Sequence, residues 1–257
     1  MIDFAQSLSG FVVGAIVGLT GVGGGSLMTP LLVLLFGIHP ATAVGTDLLY
    51  AAITKSGGTW VHARKGTVDW RIVRLLAYGS LPAAALTLLV VHQLAPGGLG
   101  AASKVITTSL GGALLLTSAA LILRKRLKNW AQNNDPDTVH HPWKTVVTGA
   151  ALGFLVSISS VGAGALGVTV LFFLYPKLPT IRIVGSDLAH AVPLTLVAGL
   201  GHWWLGSVDW HLLASLLVGS LPGIYIGSHL ASHVPERILR PMLAVMLVLV
   251  GGKLIAF

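Results

Sequence analysis

Four ionisable side chains lie within long apolar runs of this sequence, where a charge is costly and its retention points to function: Asp47, Lys55, Asp187 and His190. Lys55 follows Asp47 by eight residues, two helical turns, so both fall near one face but too far apart for a direct bridge. His190 follows Asp187 by three, close enough to touch on a helix. A cation at mid-membrane calls for an anionic partner, either an aspartate or a bound anion. For the carboxylates two readings stand: a proton or ion relay (or a brace for nearby loops), and ordinary capping of the helices they begin. Two glycine clusters accompany these residues, Gly21-Val22-Gly23-Gly24-Gly25 before Ser26, and Val161-Gly162-Ala163-Gly164 after Ser157, Ser159 and Ser160. Each precedes a short apolar segment. A helix starting there would aim unpaired N–H groups and a positive dipole end inward, and two such tips facing each other would suit an anion. The competing reading is that these glycines only permit close helix packing or a tight turn.

The elements that hold these residues form a duplication. Gly45-Thr46-Asp47-Leu48 recurs 140 residues on as Gly185-Ser186-Asp187-Leu188, and the same offset relates His62 to His202, Val68-Asp69-Trp70 to Val208-Asp209-Trp210, and Gly79-Ser80-Leu81-Pro82 to Gly219-Ser220-Leu221-Pro222. The first half reads as apolar segments 4–20, 26–38, 41–63, 71–92 and 100–123; the second as 144–160, 165–176, 180–205, 211–232 and 238–257. Segments 26–38 and 165–176 are too short to span a hydrocarbon core of about 30 Å. We read each as half of a broken, re-entrant hairpin. The organisation expected is a first repeat over 1–123, a polar linker over 124–143 read as a soluble loop, and a second repeat over 144–257.

Composition sets the class. Of 257 residues, 54% are hydrophobic and 9% charged, against about 25% charged in a soluble domain. No Asp, Glu, Lys or Arg occurs in 4–46, 75–103, 145–176 or 210–235, and each gap exceeds the roughly 20 residues a spanning helix needs. This is a polytopic, all-α membrane protein. The absence of Cys removes disulfides and thiolate metal sites, and no metal or cofactor is expected. The net charge of +8 is read as setting orientation rather than binding nucleic acid. Thirteen of the sixteen Lys and Arg residues fall on one side if each half makes three crossings beyond its hairpin, which places the N-terminus outside and inverts the repeats relative to each other. Inverted repeats with paired interrupted helices are the architecture of secondary transporters. Asp69-Trp70 and Asp209-Trp210 read as interfacial anchors that open helices, as do His62, His202, Trp203 and Trp204. Gly10, Gly14 and Gly18, with Gly219, Gly223 and Gly227, read as packing stripes. No H-E-x-x-H, G-x-S-x-G or Walker-type motif is present, so neither an enzyme nor an ATP-driven pump is expected.

Gly-Val-Gly-Gly-Gly with Pro30 downstream, followed by Ala43-Val44-Gly45-Thr46-Asp47-Leu48 and a weaker second copy, resembles the TauE/SafE sulfite exporter family, also called the sulfonate permease family. The resemblance covers essentially the whole chain. It implies a prokaryotic inner-membrane carrier for sulfite, sulfoacetate or another organosulfonate, with binding positions at Gly23, Gly24, Gly25, Thr46 and Asp47 and at Gly162, Gly164, Ser186 and Asp187. The second copy departs from the first in having Ala163 where Gly24 stands. Our own reading of the residues adds Ser26, Lys55, Ser160 and His190 as substrate contacts, with Asp47 and Asp187 coupling transport to protons or bracing the loops. Expected partners are a small anionic substrate and the bilayer, with a homodimer left open. Two other readings stand beside this one: a cation or metal carrier using Asp47, Asp187 and His190, and a non-transporting membrane scaffold.

Overall fold

The computed structural model describes residues 3–20, 25–94, 103–134, 142–230 and 236–256, apart from some side chains near the ends of these segments. Gly23, Gly24, the 93–99 connection beyond Leu94, and His140 and His141 lie outside them. The described residues form ten helices: α1 (Phe4–Thr20), α2 (Gly25–Leu35), α3 (Pro40–Arg64), α4 (Trp70–Leu94), α5 (Ser103–Asn134), α6 (Pro142–Ser159), α7 (Ala165–Leu174), α8 (Thr180–Trp204), α9 (Trp210–Leu230) and α10 (Glu236–Ala256). Helices α1–α5 correspond in order to α6–α10. Helices α2 and α7 have 11 and 10 residues, about 15 Å each and half a membrane core. The loop reading of 124–134 is corrected: this stretch is the end of α5. Arg124, Lys125, Arg126, Leu127 and Lys128 are good helix formers, so charge there marks where the helix leaves the bilayer, not where it stops.

Equivalent helices cross antiparallel. On α3 and α8, Gly45 faces His202, Leu49 faces Gly199 and Gly58 faces Leu188, so positions rise on one helix as they fall on the other. Likewise on α5 and α10, Gly111 meets its own counterpart Gly251, and the Ser118 hydroxyl donates to the Ala244 carbonyl at 2.9 Å. The two repeats are therefore inverted, with a pseudo-two-fold axis passing between these pairs.

The repeats also interlock. Helix α1 lies parallel to α9 of the other repeat: Gly10 and Gly14 meet the Leu216 and Ser220 backbones, while Gly219, Gly223 and Gly227 meet the backbones of Ser7, Phe11 and Ala15. Helix α6 lies on α4 in the same way through Gly79, Gly149 and Gly153. No side chain fits between these backbones. Lipid gives no hydrophobic drive for helix association, so this close dispersion contact is what holds the halves together. Leu8, Tyr78, Leu86, Leu116, Phe154, Tyr225 and Leu249 are among the exposed apolar residues, a surface suited to acyl chains and not to water. Trp70, Trp143, Trp203, Trp204 and Trp210, all more than half exposed, sit at helix ends, where aromatic belts form.

Candidate functional site

Asp69 and Asp209 open α4 and α9 by capping. The Asp69 carboxylate accepts the Arg71 and Ile72 N–H groups at 3.1 and 3.4 Å, and Asp209 accepts those of His211 and Leu212 at 2.9 Å each. Asp69 also pairs with Arg182 of the other repeat at 3.2 Å. The twin contacts continue inward. Thr46 and Ser186 accept the backbone N–H of Asp209 and Asp69, at 3.1 and 2.8 Å. Their hydroxyls thus lock the start of α9 to α3 and of α4 to α8, away from the centre described next. His62 and His202 are corrected from interfacial anchors. Each ring closes the turn that follows its helix, bonding Thr67 at 2.8 Å and Ser207 at 3.0 Å, and His202 is fully buried with its other nitrogen on the Ser157 carbonyl at 2.8 Å.

The capping reading of Asp47 and Asp187 is corrected as well. Each is the eighth residue of its helix, and the helices begin behind His39 and Pro179 with no side-chain cap. Asp47 is completely buried, and one of its oxygens, Oδ2, accepts two hydroxyls: Thr29 of α2 at 2.5 Å and Ser160 of the loop before α7 at 3.0 Å. Its other oxygen, Oδ1, is buried and without a partner among the described residues. One carboxylate thus ties both short helices, from opposite repeats, to α3.

Residues 160–164 form a buried stretch of non-helical backbone at membrane depth, which is tolerated only inside protein or along a cavity. Ser160 has φ +56, unusual for a residue with a side chain, and its bond to Asp47 helps hold it there. Gly162 and Gly164 have φ +122 and +140, values open in practice only to glycine. The Lys55 ammonium, buried, donates to the Ala163 carbonyl at 2.6 Å, immediately ahead of Gly164, the N-cap of α7. Asp47 and Asp187 both act on Lys55 through space, and Lys55 on His190. Asp187 lies along the first turn of α7, where a Cβ on Gly167 would collide with its carboxylate.

The structure therefore gathers Lys55, Asp47, Asp187, Ser160, Gly162 and Gly164 around the tip of α7. His190 is near but does not bond Asp187 through its Nε2, which meets the Ser80 hydroxyl at 2.8 Å; its Nδ1 has no partner among the described residues. Gly25 opens α2 with Ser26 next, but the Ser26 side chain, like Gly23 and Gly24 as a whole, lies outside what the structure describes. Leu27 and Met28 of the first turn of α2 belong to the same buried apolar cluster as Val161 and Ala165, so the two short helices begin in one core. Sequence reasoning missed Thr29, Tyr50, Ser80 and Ser220. Tyr50 and Ser220 share a 2.5 Å bond that is the inverted twin of the His190–Ser80 bond. The signal was present, because Ser80 and Ser220 fall in a repeated tetrapeptide. No group of three or more His, Cys, Asp or Glu suited to a metal occurs among the described residues.

Residues 7–254 match the family model described as sulfite exporter TauE/SafE. The chain is 40% identical to the probable membrane transporter protein YjnA of Bacillus subtilis (strain 168), across 96% of this chain and 98% of that protein. It is 30% identical to the probable membrane transporter protein YdhB of the same organism, across 84% and 85%. A probable membrane transporter protein of Xylella fastidiosa (strain Temecula1) is 29% identical across 84% and 79%. No solved structure matches the chain. An all-helical, inverted-repeat chain with four helices long and apolar enough to span a bilayer among its described residues accords with those names. It is a multi-pass membrane transporter, and it belongs to the sulfite exporter TauE/SafE family.

Proposed function

We propose that the protein is a gradient-driven exporter of a small sulfur oxyanion (sulfite, sulfoacetate or a related organosulfonate) in a prokaryotic inner membrane, with its N-terminus outside. The observation that carries this reading is the Lys55–Ala163 contact. A buried ammonium beside a helix N-terminus sets two positive ends together in a low-dielectric interior, an arrangement that an anion between them relieves. A sulfonate or sulfite group, with several acceptor oxygens, suits both an ammonium and the free N–H groups of a helix start. A cation would meet the Lys55 charge instead.

Asp47 and Asp187 supply the coupling. With both ionised they compete with the anion for Lys55 and the α7 tip, so neutralising one frees positive potential for substrate. On Asp47 both hydroxyl donors occupy Oδ2, so a proton binds at Oδ1. Proton and anion then bind together, and the brace from α3 to α2 and the α7 loop changes charge as they do. The test is counterflow in proteoliposomes: labelled sulfite or sulfoacetate should accumulate against unlabelled substrate, and excess unlabelled sulfonate should compete. Accumulation of divalent cations with no exchange of any sulfur oxyanion would overturn the assignment.

A further inference from the structure

Helix α4 carries a second feature, separate from the transport site. An open groove of ≈ 290 Å³ runs along its outer face, lined by Arg74, Ala77, Tyr78, Leu81 and Pro82. Arg74, Tyr78 and Pro82 are exposed, so the groove faces the surrounding bilayer. We propose that it binds an anionic phospholipid, phosphatidylglycerol in a bacterial membrane, with the headgroup on Arg74 and one acyl chain laid along Ala77, Leu81 and Pro82.

Depth and charge each support this occupant. Trp70, more than half exposed at the start of α4, marks the headgroup level, and the Arg74 guanidinium reaches back to the Trp70 carbonyl at 3.3 Å. From Trp70 to Pro82 is about 18 Å at ~1.5 Å per residue, so the groove begins at the phosphate layer and descends into the acyl region. Charge is concentrated at its upper end. Helices α4 and α6 run parallel with Leu76 beside Gly149, which sets Lys144 at the level of Arg71 and Arg74. Basic residues near the membrane surface attract anionic headgroups, each nearby cation adding about 1 kcal/mol, or about fivefold in affinity. Pro82, inside α4, lacks the N–H that would close on the Tyr78 carbonyl, and the exposed Tyr78 adds a phenol.

The inverted repeat supplies an internal control. Positions equivalent to Arg74, Ala77 and Tyr78 on α9 are Ala214, Leu217 and Val218, while the proline is kept as Pro222. The proline is thus common to both repeats, and the charge and the phenol belong to one. They stand just past the 65–69 connection, around which Arg64, Lys65 and Arg71 collect.

Native mass spectrometry of the whole protein, released from nanodiscs holding equal phosphatidylglycerol and phosphatidylcholine, tests the proposal. Wild type should retain phosphatidylglycerol in excess over phosphatidylcholine, and Arg74→Gln should lower that ratio about fivefold. Melting in pure phosphatidylcholine nanodiscs should not distinguish the two proteins. Ala77→Leu, which fills the groove and leaves the charge in place, gives a second variant and should also lower the ratio. Equal retention of the two lipids by wild type, or a wild-type ratio in Arg74→Gln, overturns the proposal.

Discussion

Lys55 of the first repeat donates to the Ala163 carbonyl of the second at 2.6 Å, so the mid-membrane cation is held by backbone rather than by a carboxylate. The bond fixes the ammonium one residue ahead of the α7 N-cap, Gly164. Each carboxylate of the centre lies on a helix next to a short one, Asp47 bonded to Thr29 of α2 and Asp187 alongside Gly167 of α7. Charge, loop and helix tip are thus joined as one unit, and that unit crosses the boundary between the repeats.

Asp47→Asn separates charge from shape. The amide oxygen keeps the Thr29 and Ser160 bonds, and the amide nitrogen stands where Oδ1 was. The variant should therefore fold with little change in melting temperature. Transport of a sulfonate, whose own charge does not change over the range, should rise in wild type as pH falls, because the carboxylate must take up a proton. In Asp47→Asn it should be flat with pH. An unchanged pH profile would remove Asp47 from the coupling.

Ser160→Ala should cost more than an ordinary buried hydroxyl. Among the described residues it leaves Thr29 as the one hydroxyl donor to Asp47, and it removes a contact that holds Ser160 in its left-handed conformation. A loss of about 1–3 kcal/mol is expected, read as a lowered midpoint in detergent unfolding. Ser160→Gly, which relieves the backbone while losing the hydroxyl, should recover part of it.

Gly219→Val tests the α1–α9 seam. A side chain there would run into the Ser7 backbone, which cannot rotate away. Overpacking of this kind costs about 1–3 kcal/mol or more, so the variant should reach the membrane poorly and melt early. Gly57→Ala, with open space around the position, should behave as wild type in the same assay.

The two caps make a matched pair. Asp69→Ala and Asp209→Ala should each lower stability by about 1 kcal/mol through loss of the bonds at the starts of α4 and α9. Asp69→Ala also loses the Arg182 pair, but the partly exposed geometry adds only about 0.2–1 kcal/mol. Thermal unfolding should therefore rank the two variants close together.

Much of the architecture was legible from spacing alone. The 140-residue offset tied α3 and α4 to α8 and α9, and the absence of charge from 145–176 and 210–235 placed the second repeat in the bilayer. Orientation of one repeat against the other followed from where Arg64, Lys65, Arg71 and Arg74 collect. The end of α5 was not legible, because a run such as Arg124–Lys128 is compatible with loop and helix alike. Site chemistry was legible by residue type and hidden in pairing. Asp47 and Lys55 announced themselves as buried charges, yet Lys55 meets a carbonyl, and every residue carries one of those. Asp47 meets Ser160 across 113 positions, a contact that only the crossing of the two halves creates. Thr46 and Ser186 carried the same motif signal as their aspartates but serve the joints with Asp209 and Asp69. A one-residue step along a helix turns a side chain by about 100°, enough to separate a residue at a helix joint from a site residue.

Equilibrium binding of sulfite to purified wild type and Lys55→Met, at one pH, tests the central claim most directly. The account predicts measurable binding to wild type and at least about tenfold weaker binding to Lys55→Met, the loss of roughly 1.4 kcal/mol or more that removing a buried counter-charge implies. Equal affinity in the two proteins would contradict it.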